Sequence, residues 1–300
     1  MSTYRKIVYL INPIAGVKTK SLLQDTISRE TGQQGIDFEI VYTNAAGDYR
    51  FLAERVRNEK LTDVVVCGGD GSINAVAAAL LGEDVNIGII PMGSGNGLAL
   101  TAKIPLKLRR ALDVVFRGKV SYVDGCFIND RFSCMLCGIG FDAKVAHEFA
   151  KQKRRGLKTY IKVTGANFFS AKPYVFEIHT QEKSFTTEAY FISVANSNQF
   201  GNNFTIAPRA DLSDGLIDVV IVKKMSKLVF PFSVIGHVTG FTNAYDRDDE
   251  EKGNIVYFQT SSLTIINPQN APLHIDGDPA DTAEKFDIRV VPQAIRLIQP

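Results

Sequence analysis

The sequence predicts two domains of different class, an α/β domain followed by an all-β domain. In roughly the first 120 residues, short apolar runs alternate with helical patterns, which is typical of a mostly parallel sheet with helices on its faces. Beyond them, short strand-like runs are separated by polar or glycine turns, which predicts an antiparallel, sandwich-like domain. Glycine-rich turns follow the early strands, at the edge where parallel sheets bind their ligands.

The elements of the first domain follow from these runs in order. Strands are expected over residues 5–12, 38–42, 64–67 and 86–90, and helices over residues 20–31, 48–59, 75–81, near Leu98 and over 106–117. The turns at 12–18, 43–47, 68–72 and 92–97 all come after strands. Because the carboxyl ends of parallel strands meet at one edge of a sheet, we expect these turns to converge there.

The second domain is predicted to consist mainly of strands. They are expected over residues 120–124, 131–137, 174–180, 185–195, 216–222, 255–259, 263–266, 272–276 and 286–291. One helical region is expected over residues 143–170. The charged run at 246–251 is expected to be a solvated loop.

The composition is that of an ordinary globular protein. Hydrophobic residues make up 45% and charged residues 22% of the chain. The net charge of +2 argues against a strongly charge-driven nucleic-acid-binding protein but leaves room for a local basic face. No apolar run approaches the roughly 18 residues of a membrane span, and the first residues lack a signal-peptide core, so we expect a cytoplasmic protein. The four cysteines, including the pair Cys134 and Cys137, are expected to be small buried residues in a reduced compartment.

The stretch from Asp63 to Asn74 carries the strongest chemical signal. An apolar run, Val64 to Cys67, predicts a strand buried on both faces, and Gly68, Gly69 and Gly71 surround Asp70 directly after it. Ser72 or Asn74 is a candidate cap for the following helix. Such a turn at a helix N-terminus can bind phosphate, because N–H groups and the positive end of the helix dipole point at the anion. The alternative is a tight turn with no ligand.

A second glycine cluster, Gly93 to Gly97, repeats this pattern after the next strand. Ser94 and Asn96 add groups that can reach phosphate or ribose. Two such turns on neighbouring strands favour a mononucleotide. The sequence has no Gly-x-Gly-x-x-Gly after its first strand and no P-loop motif.

As an ordered set, these motifs resemble those of the diacylglycerol kinase and sphingosine kinase superfamily, in particular its bacterial soluble lipid kinases. The matching segments of the first half are Asn12–Gly16, Gly68–Asn74 and Pro91–Asn96. In the second half, Gly138–Asp142, Pro208–Asp218 and Ile275–Asp278 match a β-domain motif, a metal-loop motif and a C-terminal Asp-Gly-Glu motif. Gly-Gly-Asp-Gly alone is shared with NAD kinases and phosphofructokinases.

The resemblance implies an α/β nucleotide-binding domain of the NAD kinase and diacylglycerol kinase type, formed by residues 1–125 and about 286–300. Residues 126–285 are then a β-sandwich lipid-substrate domain, with the active site in the cleft between the two. By this match, ATP is surrounded by Asn12, Pro13, Gly16, Lys18, Thr43, Gly68, Gly69, Asp70, Gly71, Ser72, Asn74, Gly93, Ser94 and Asn96.

The resemblance assigns the chemistry to acidic turns. Asp276 is the implied general base, followed by Asp278 where the family has Glu, and Asp70 is either a ligand of the catalytic Mg²⁺ or a rival base. An Asp-Gly pair is also a strong hairpin signal, which is the structural alternative for Asp276. A structural Mg²⁺ is implied at Asp214, with Asp211 and Leu216 giving carbonyl oxygens. Without the metal, these acidic residues are ordinary turn carboxylates.

Two departures from the family bear on the substrate. Asp278 is one methylene shorter than Glu, and Gly97 follows Asn96 where bacterial diacylglycerol kinases usually have Asp. Asp124 stays a candidate partner of Asp70 or a lipid contact. The acceptor is therefore left as diacylglycerol, a sphingoid base or a related lipid alcohol.

We expect an ATP-dependent, Mg²⁺-assisted lipid kinase that works from the cytoplasm at an anionic membrane surface. The basic segment Lys151–Arg155, with Lys158 and Lys162, is either a docking surface for lipid headgroups or a solvated helix face. The alternatives are an NAD kinase-like enzyme, whose Asn-Glu pair is not found, and a non-catalytic nucleotide- or lipid-binding protein. The oligomeric state, a homodimer among the options, is left open.

Overall fold

The computed structural model describes residues 4–12, 20–43, 48–152, 157–168, 170–199, 205–226 and 253–300. The chain divides into two compact units. The first is Met1–Val123 with Gln293–Pro300, and the second is Asp124–Pro292. The last strand contributes to both units, because its first part pairs in the second unit and its last part in the first.

The first unit alternates strands and helices. Its strands are β1 (Lys6–Ile11), β2 (Asp37–Tyr42), β3 (Asp63–Gly68) and β4 (Asn86–Pro91), and β5 (Lys119–Ile128) leads into the second unit. Its helices are α1 (Lys20–Gln33), α2 (Phe51–Glu59), α3 (Asp70–Ala79), α4 (Gly97–Thr101) and α5 (Leu108–Arg117). The prediction of an α/β domain is confirmed.

The sheet of the first unit brings the carboxyl ends of its strands together. Its parallel order is β4-β3-β1-β2. Ile11 at the end of β1 lies opposite Tyr42 and Cys67, and Gly68 lies opposite Pro91. Every residue of β3 is buried, as expected of a central strand covered on both faces. The predicted convergence of the four turns is confirmed for the residues that directly follow these strands.

The second unit is mainly antiparallel. Its strands after β5 are β6 (Arg131–Ser133), β7 (Leu136–Gly140), β8 (Tyr174–Thr180), β9 (Ser184–Ala195), β10 (Ile217–Lys223), β11 (Ile255–Thr260), β12 (Ser262–Ile266), β13 (Leu273–Ile275), β14 (Asp278–Ala280) and β15 (Lys285–Gln299). Its helices are α6 (Phe141–Ala150) and α7 (Leu157–Phe168). The strands run β14-β13-β7-β9-β8-β12-β15, and β10 pairs with β9 and β11. Phe176, Ile192 and Phe286 are among the side chains of its buried core.

The end of β15 completes the sheet of the first unit. Arg296 and Leu297 pair in parallel with Asn86 and Ile87 of β4. The return of the chain therefore adds a fifth parallel strand on the β4 side.

Three local predictions differ from the structure. Helix α3 begins at Asp70 with Gly69 as its extended N-cap, so Ser72 and Asn74 lie inside the helix and do not cap it. The strand expected over 131–137 is two strands with different partners, because β6 pairs with β5 whereas β7 pairs with β9 and β13. The single helix expected over 143–170 is two helices.

Three other expectations concern the cysteines, membrane spans and the charged run. All four cysteines are buried and lie outside disulfides, as predicted. Among the helices that the structure describes, none has the length and hydrophobicity needed to cross a bilayer. The charged run at 246–251 lies outside the described residues.

A partly buried ion pair joins Arg5, just before β1, to Asp63, the first residue of β3. Asp63 is 1% exposed, and it accepts hydrogen bonds from Arg5 Nε at 3.0 Å, Thr62 Oγ1 at 2.7 Å and Asn86 Nδ2 at 3.0 Å. Replacing Asp63 with Ala removes the charge partner of Arg5 and the acceptor of these three bonds, and we expect the free energy of unfolding to fall by about 3 kcal/mol. Urea unfolding measures this. The matched control is Asp48→Ala, which breaks an exposed ion pair with Arg50 and should leave stability almost unchanged.

Candidate functional site

The two glycine turns of the first unit touch each other through their backbones. A Cβ atom built on Gly93 would lie 2.6 Å from Gly69 Cα, and one built on Gly69 would lie 3.0 Å from Gly93 Cα. Only glycine allows this approach at Gly93. The Met92 N–H also donates to Gly68 O at 2.8 Å. The turns after β3 and β4 therefore form one continuous backbone surface at the carboxyl edge of the sheet.

Asn96 braces the second turn. Its backbone is left-handed, with φ of 55°, a conformation that Asn tolerates better than most residues. Its side-chain oxygen accepts from Gly93 N at 2.8 Å, and its side-chain amide donates to Gly93 O at 2.8 Å. The side chain of Asn96 is thus committed to the shape of the turn, whereas Ser94 is exposed. A contact of either residue with phosphate or ribose stays a prediction.

Asp70 links the first turn to the helix that follows the second. It is the first residue of α3, and Leu98 N donates to its Oδ1 at 3.4 Å. Burial raises the pKa of the Asp70 carboxyl, and hydrogen bonds from the backbone of Gly97, Leu98 and Asn96 oppose this shift. The carboxylate therefore lies at the N-terminus of α4, where negative charge is stabilised. Both roles predicted for Asp70, base or metal ligand, stay predictions.

The other predicted nucleotide residues that the structure describes lie along the same sheet edge. Asn12 donates from its side-chain amide to Ser72 Oγ at 2.9 Å, and its backbone N–H donates to Cys67 O at 3.1 Å. Thr43 is buried and donates from its backbone to Ile11 O at 3.0 Å. Gly71, Ser72 and Asn74 lie in the first turns of α3. Pro13, Gly16 and Lys18 lie outside the described residues.

Asp276 of the second unit is a buried carboxylate in a hairpin turn. It is 8% exposed, and its Oδ1 accepts hydrogen bonds from Ser133 Oγ at 2.6 Å, Leu136 N at 2.9 Å and Met135 N at 3.2 Å. Its backbone N–H donates to Leu136 O at 2.8 Å. Charge-assisted bonds of this kind hold a carboxylate in one orientation.

The backbone at Asp276 forms the hairpin turn that is the structural alternative for this residue. Asp276 and Gly277 have φ of 50° and 84° and join β13 to β14 as a two-residue turn. Here the carboxylate is buried and the following Asp278 is exposed. Asp276 and Asp278 therefore differ, because the carboxylate of Asp276 is held in place by hydrogen bonds whereas Asp278 is exposed.

The predicted metal loop lies against Asp124. Leu212 O accepts from Asp124 N at 2.7 Å, and Gly215 N donates to Asp124 Oδ2 at 2.8 Å. Asp211 Oδ1 accepts from Ser213, and Asp214 Oδ1 accepts from Leu216 N, each at 2.9 Å from the backbone nitrogen. Asp124 is buried at 2% exposure and anchors this loop, a role that the sequence does not reveal.

The loop has oxygen groups that suit a cation, but its described side chains do not form a metal-binding cluster. Partial burial, and then the charges of Asp211 and Asp124, raise the pKa of the Asp214 carboxyl. Such crowding of negative charge is what a bound cation relieves. In the part of the chain that the structure describes, no three His, Cys, Asp or Glu side chains form a metal-binding group. A cation at this loop would therefore be held by Asp214 and by backbone carbonyl oxygens, including those of Asp211 and Leu216.

Two residues that bond to Asp276 and Asp124 in the second unit are not indicated by the sequence. Ser133 donates the shortest of the three bonds to Asp276. Asn196 is fully buried, donates to Asp124 O at 2.8 Å and donates its backbone N–H to Met135 O at 2.7 Å. Both lie in or beside apolar strand runs and carry no local motif. Their roles come from pairing between distant strands.

The predicted basic docking segment is only partly described. Lys151 and Lys162 are exposed, while residues 153–156 and the side chain of Lys158 lie outside the described part. Lys151 pairs with Glu148 at 2.7 Å. Docking on a membrane stays a prediction.

Comparison with known proteins assigns the two halves of the chain. Residues 6–128 match the model of the diacylglycerol kinase catalytic domain, and residues 136–299 match that of the YegS C-terminal NAD kinase β-sandwich-like domain. A relative from Enterobacter sp. strain 638, named probable lipid kinase YegS-like, is 28% identical over 100% of this chain and 98% of its own. A protein from Escherichia coli, named probable lipid kinase YegS, is 26% identical over 89% of this chain and 88% of its own.

A solved structure shows the same fold. The structure of a diacylglycerol kinase from Bacillus anthracis strain Sterne has a TM-score of 0.76 and 19% identity, and the match covers 100% of this chain and 98% of that chain. The predicted arrangement of an α/β domain followed by a β-sandwich domain is therefore confirmed.

Proposed function

The chain belongs to the family that joins a diacylglycerol kinase catalytic domain to a YegS-type β-sandwich domain, and from that premise we propose that it is an ATP-dependent lipid kinase. The family implies a kinase that uses ATP. Relatives named probable lipid kinases support a lipid acceptor. In this proposal, residues 1–125 and the C-terminal residues bind the nucleotide, and residues 126–285 bind the lipid.

The contact between Gly69 and Gly93 is the observation that carries the proposal. It joins two glycine turns at the carboxyl edge of a parallel sheet, where backbone N–H groups and the N-terminus of α3 can bind a chain of phosphates. Phosphoryl transfer depends mainly on positioning and on neutralising charge. A backbone surface without side chains suits that task, because phosphate can approach it closely.

Asp276 is the proposed general base. The lipid hydroxyl gives its proton to the Asp276 carboxylate as its oxygen bonds to the γ-phosphorus. The bond from the γ-phosphorus to the bridging oxygen breaks, and ADP leaves. Three hydrogen bonds to Oδ1 fix the carboxylate, which is what a base needs in order to meet a hydroxyl at one angle. Asp278 and Asp70 are proposed supporting acidic groups, with Asp70 on the metal side.

Mg²⁺ is the proposed metal in two places. With ATP it would neutralise phosphate charge, and a second ion would hold the loop of Asp211, Asp214 and Leu216. We expect millimolar Mg²⁺ to raise the thermal unfolding midpoint of the nucleotide-free wild type by a few degrees, because an ion that binds only the folded state stabilises it. Asp214→Asn should remove this gain. Asp130→Asn, which changes an exposed Asp outside the loop, should keep it.

The enzyme is proposed to work as a peripheral protein at an anionic membrane surface in the cytoplasm. Its substrate would lie in that surface, and the basic residues from Lys151 to Lys162 are the proposed contact with lipid headgroups. Diacylglycerol, sphingoid bases and related lipid alcohols are the proposed acceptors.

Transfer from γ-labelled ATP tests the function. The purified full chain is incubated with Mg²⁺ and a bacterial lipid extract in mixed micelles and, separately, with NAD. Label in a chloroform-extractable product supports the proposal. Label in NADP alone would instead identify a soluble-substrate kinase. Absence of transfer to either, with ATP bound, would identify a non-catalytic binding protein.

A further inference from the structure

A buried polar cluster lies directly beneath the Asp276 turn and has no part in the proposed chemistry. Asp142 and His274 are 7% and 2% exposed, and His274 Nε2 lies 3.4 Å from Asp142 Oδ2. Asp142 belongs to the motif Gly138–Asp142, and His274 lies two residues before Asp276. A charged group is costly to bury unless it interacts with partners, so the cluster calls for an explanation.

Gly138 makes room for this cluster. In the sheet, Gly138 of β7 lies between His274 of β13 and Ser193 of β9. A Cβ atom on Gly138 would lie 1.9 Å from Asp142 Oδ2 and 2.4 Å from His274 Nε2. The glycine thus leaves its own side-chain position to the carboxylate of Asp142. Gly138 and Asp142, the first and last residues of the motif, therefore pack together.

His274 connects Asp142 to the turn formed by Asp276 and Gly277. Gly277 N donates to His274 Nδ1 at 3.3 Å. Because Nδ1 accepts, the ring proton is on Nε2, the atom that faces Asp142. Asp142 is itself held by helix α6, since its Oδ1 accepts from Ala143 N at 2.7 Å. The contacts run from α6 through Asp142 and His274 to the backbone of the turn.

A second contact fixes the same strand to α6. His147 Nε2 donates to Leu273 O at 2.7 Å, one residue before His274. This contact holds strand β13 but does not reach the turn. It therefore offers a control that separates the packing of α6 on β13 from the orientation of residues 276–277.

We propose that Asp142 and His274 are positioning residues for the general base. Asp142 fixes the ring of His274 and its tautomer, and His274 then holds Gly277 N and the left-handed backbone of Asp276. The inference rests on the proposed role of Asp276. A buried pair of this kind is weak evidence for stability, and its best-attested use is to specify one arrangement among several.

Three substitutions separate the links of this chain of contacts. Asp142→Asn keeps the acceptor for Ala143 N but places an amide donor against the Nε2–H of His274. If the ring proton of His274 moved to Nδ1 instead, it would lie against the N–H of Gly277. His274→Asn carries a carboxamide oxygen near the position of Nδ1, so it can keep the bond to Gly277. His274→Gln reaches the position of Nε2 and leaves Gly277 without that acceptor.

The experiment measures backbone hydrogen exchange of the 275–280 segment and kinase kinetics in the full chain. The kinetic probe is γ-labelled ATP with mixed micelles of dioleoylglycerol and sphingosine. We expect Asp142→Asn and His274→Gln to speed exchange in this segment. We also expect them to lower kcat by about 10- to 100-fold while the KM for ATP stays unchanged. His274→Asn should be milder, and adding Asp142→Asn to it should cost nothing further. His147→Gln should lower stability without changing kcat per folded molecule.

The inference is overturned if Asp142→Asn lowers only the unfolding midpoint and leaves both segment exchange and kcat at wild-type values. Additive effects of Asp142→Asn and His274→Asn would also overturn it. If the wild type phosphorylates neither lipid probe, the proposed acceptors fail, and the exchange measurement alone decides whether the pair holds the turn.

Discussion

Replacing Asp276 with Asn is expected to abolish phosphoryl transfer while the protein stays folded and binds ATP. Loss of a general base costs about 1,000-fold in kcat. The amide keeps an oxygen that can accept from Ser133, Met135 and Leu136. Asn also tolerates the left-handed backbone of this position, where φ is 50°. The measurement is kcat with γ-labelled ATP and a lipid acceptor, alongside ATP affinity by calorimetry.

The control for Asp276→Asn is Asp281→Asn, which lies just beyond the same hairpin and is 96% exposed beside Arg131. It should keep the wild-type rate. If Asp276→Asn retains more than a tenth of the wild-type kcat, Asp276 is not the base. Asp70→Asn then tests the rival, and a loss of kcat with unchanged ATP affinity would assign the role to Asp70.

The second large effect is expected from Gly93→Ala, which should weaken ATP binding by about 10- to 100-fold. Its Cβ would lie 2.6 Å from Gly69 Cα, so the two turns must move apart. Forcing a methyl group into a packed contact costs about 1–3 kcal/mol, and here the cost falls on the surface proposed to hold the phosphates. Calorimetric titration with Mg-ATP measures it.

Gly165→Ala is the matched control for Gly93→Ala. Gly165 lies inside α7, and a Cβ atom there meets nothing within 4 Å. This variant should bind ATP as the wild type does. Wild-type affinity in Gly93→Ala would show that the contact between the turns does not shape the nucleotide site.

The fold class was predictable because it depends on patterns that repeat along the chain. Fully apolar runs such as Val64 to Cys67 indicate strands buried on both faces, and the structure places them in a parallel sheet. The convergence of the turns then follows from parallel topology. By contrast, the sequence does not indicate the start of α3 at Asp70, because glycine at the N-cap leaves no side-chain signal.

The details of the site were less predictable, since they depend on partners far along the chain. An Asp-Gly pair predicts a hairpin equally well whether its carboxylate faces water or protein. The burial of Asp276 comes from Ser133 and Leu136, which lie about 140 residues away in sequence. In the same way, the sequence predicts a ligand contact for Asn96, and only the structure shows that its side chain also braces the turn through Gly93.

The most direct test of the account compares the wild type, Asp276→Asn and Gly93→Ala in one assay of ATP binding and of label transfer to a lipid extract. The wild type should bind ATP and label a chloroform-extractable product. Asp276→Asn should bind ATP and label nothing, and Gly93→Ala should bind ATP weakly. Labelled NADP with no labelled lipid, or equal labelling of lipid by wild type and Asp276→Asn, would contradict it.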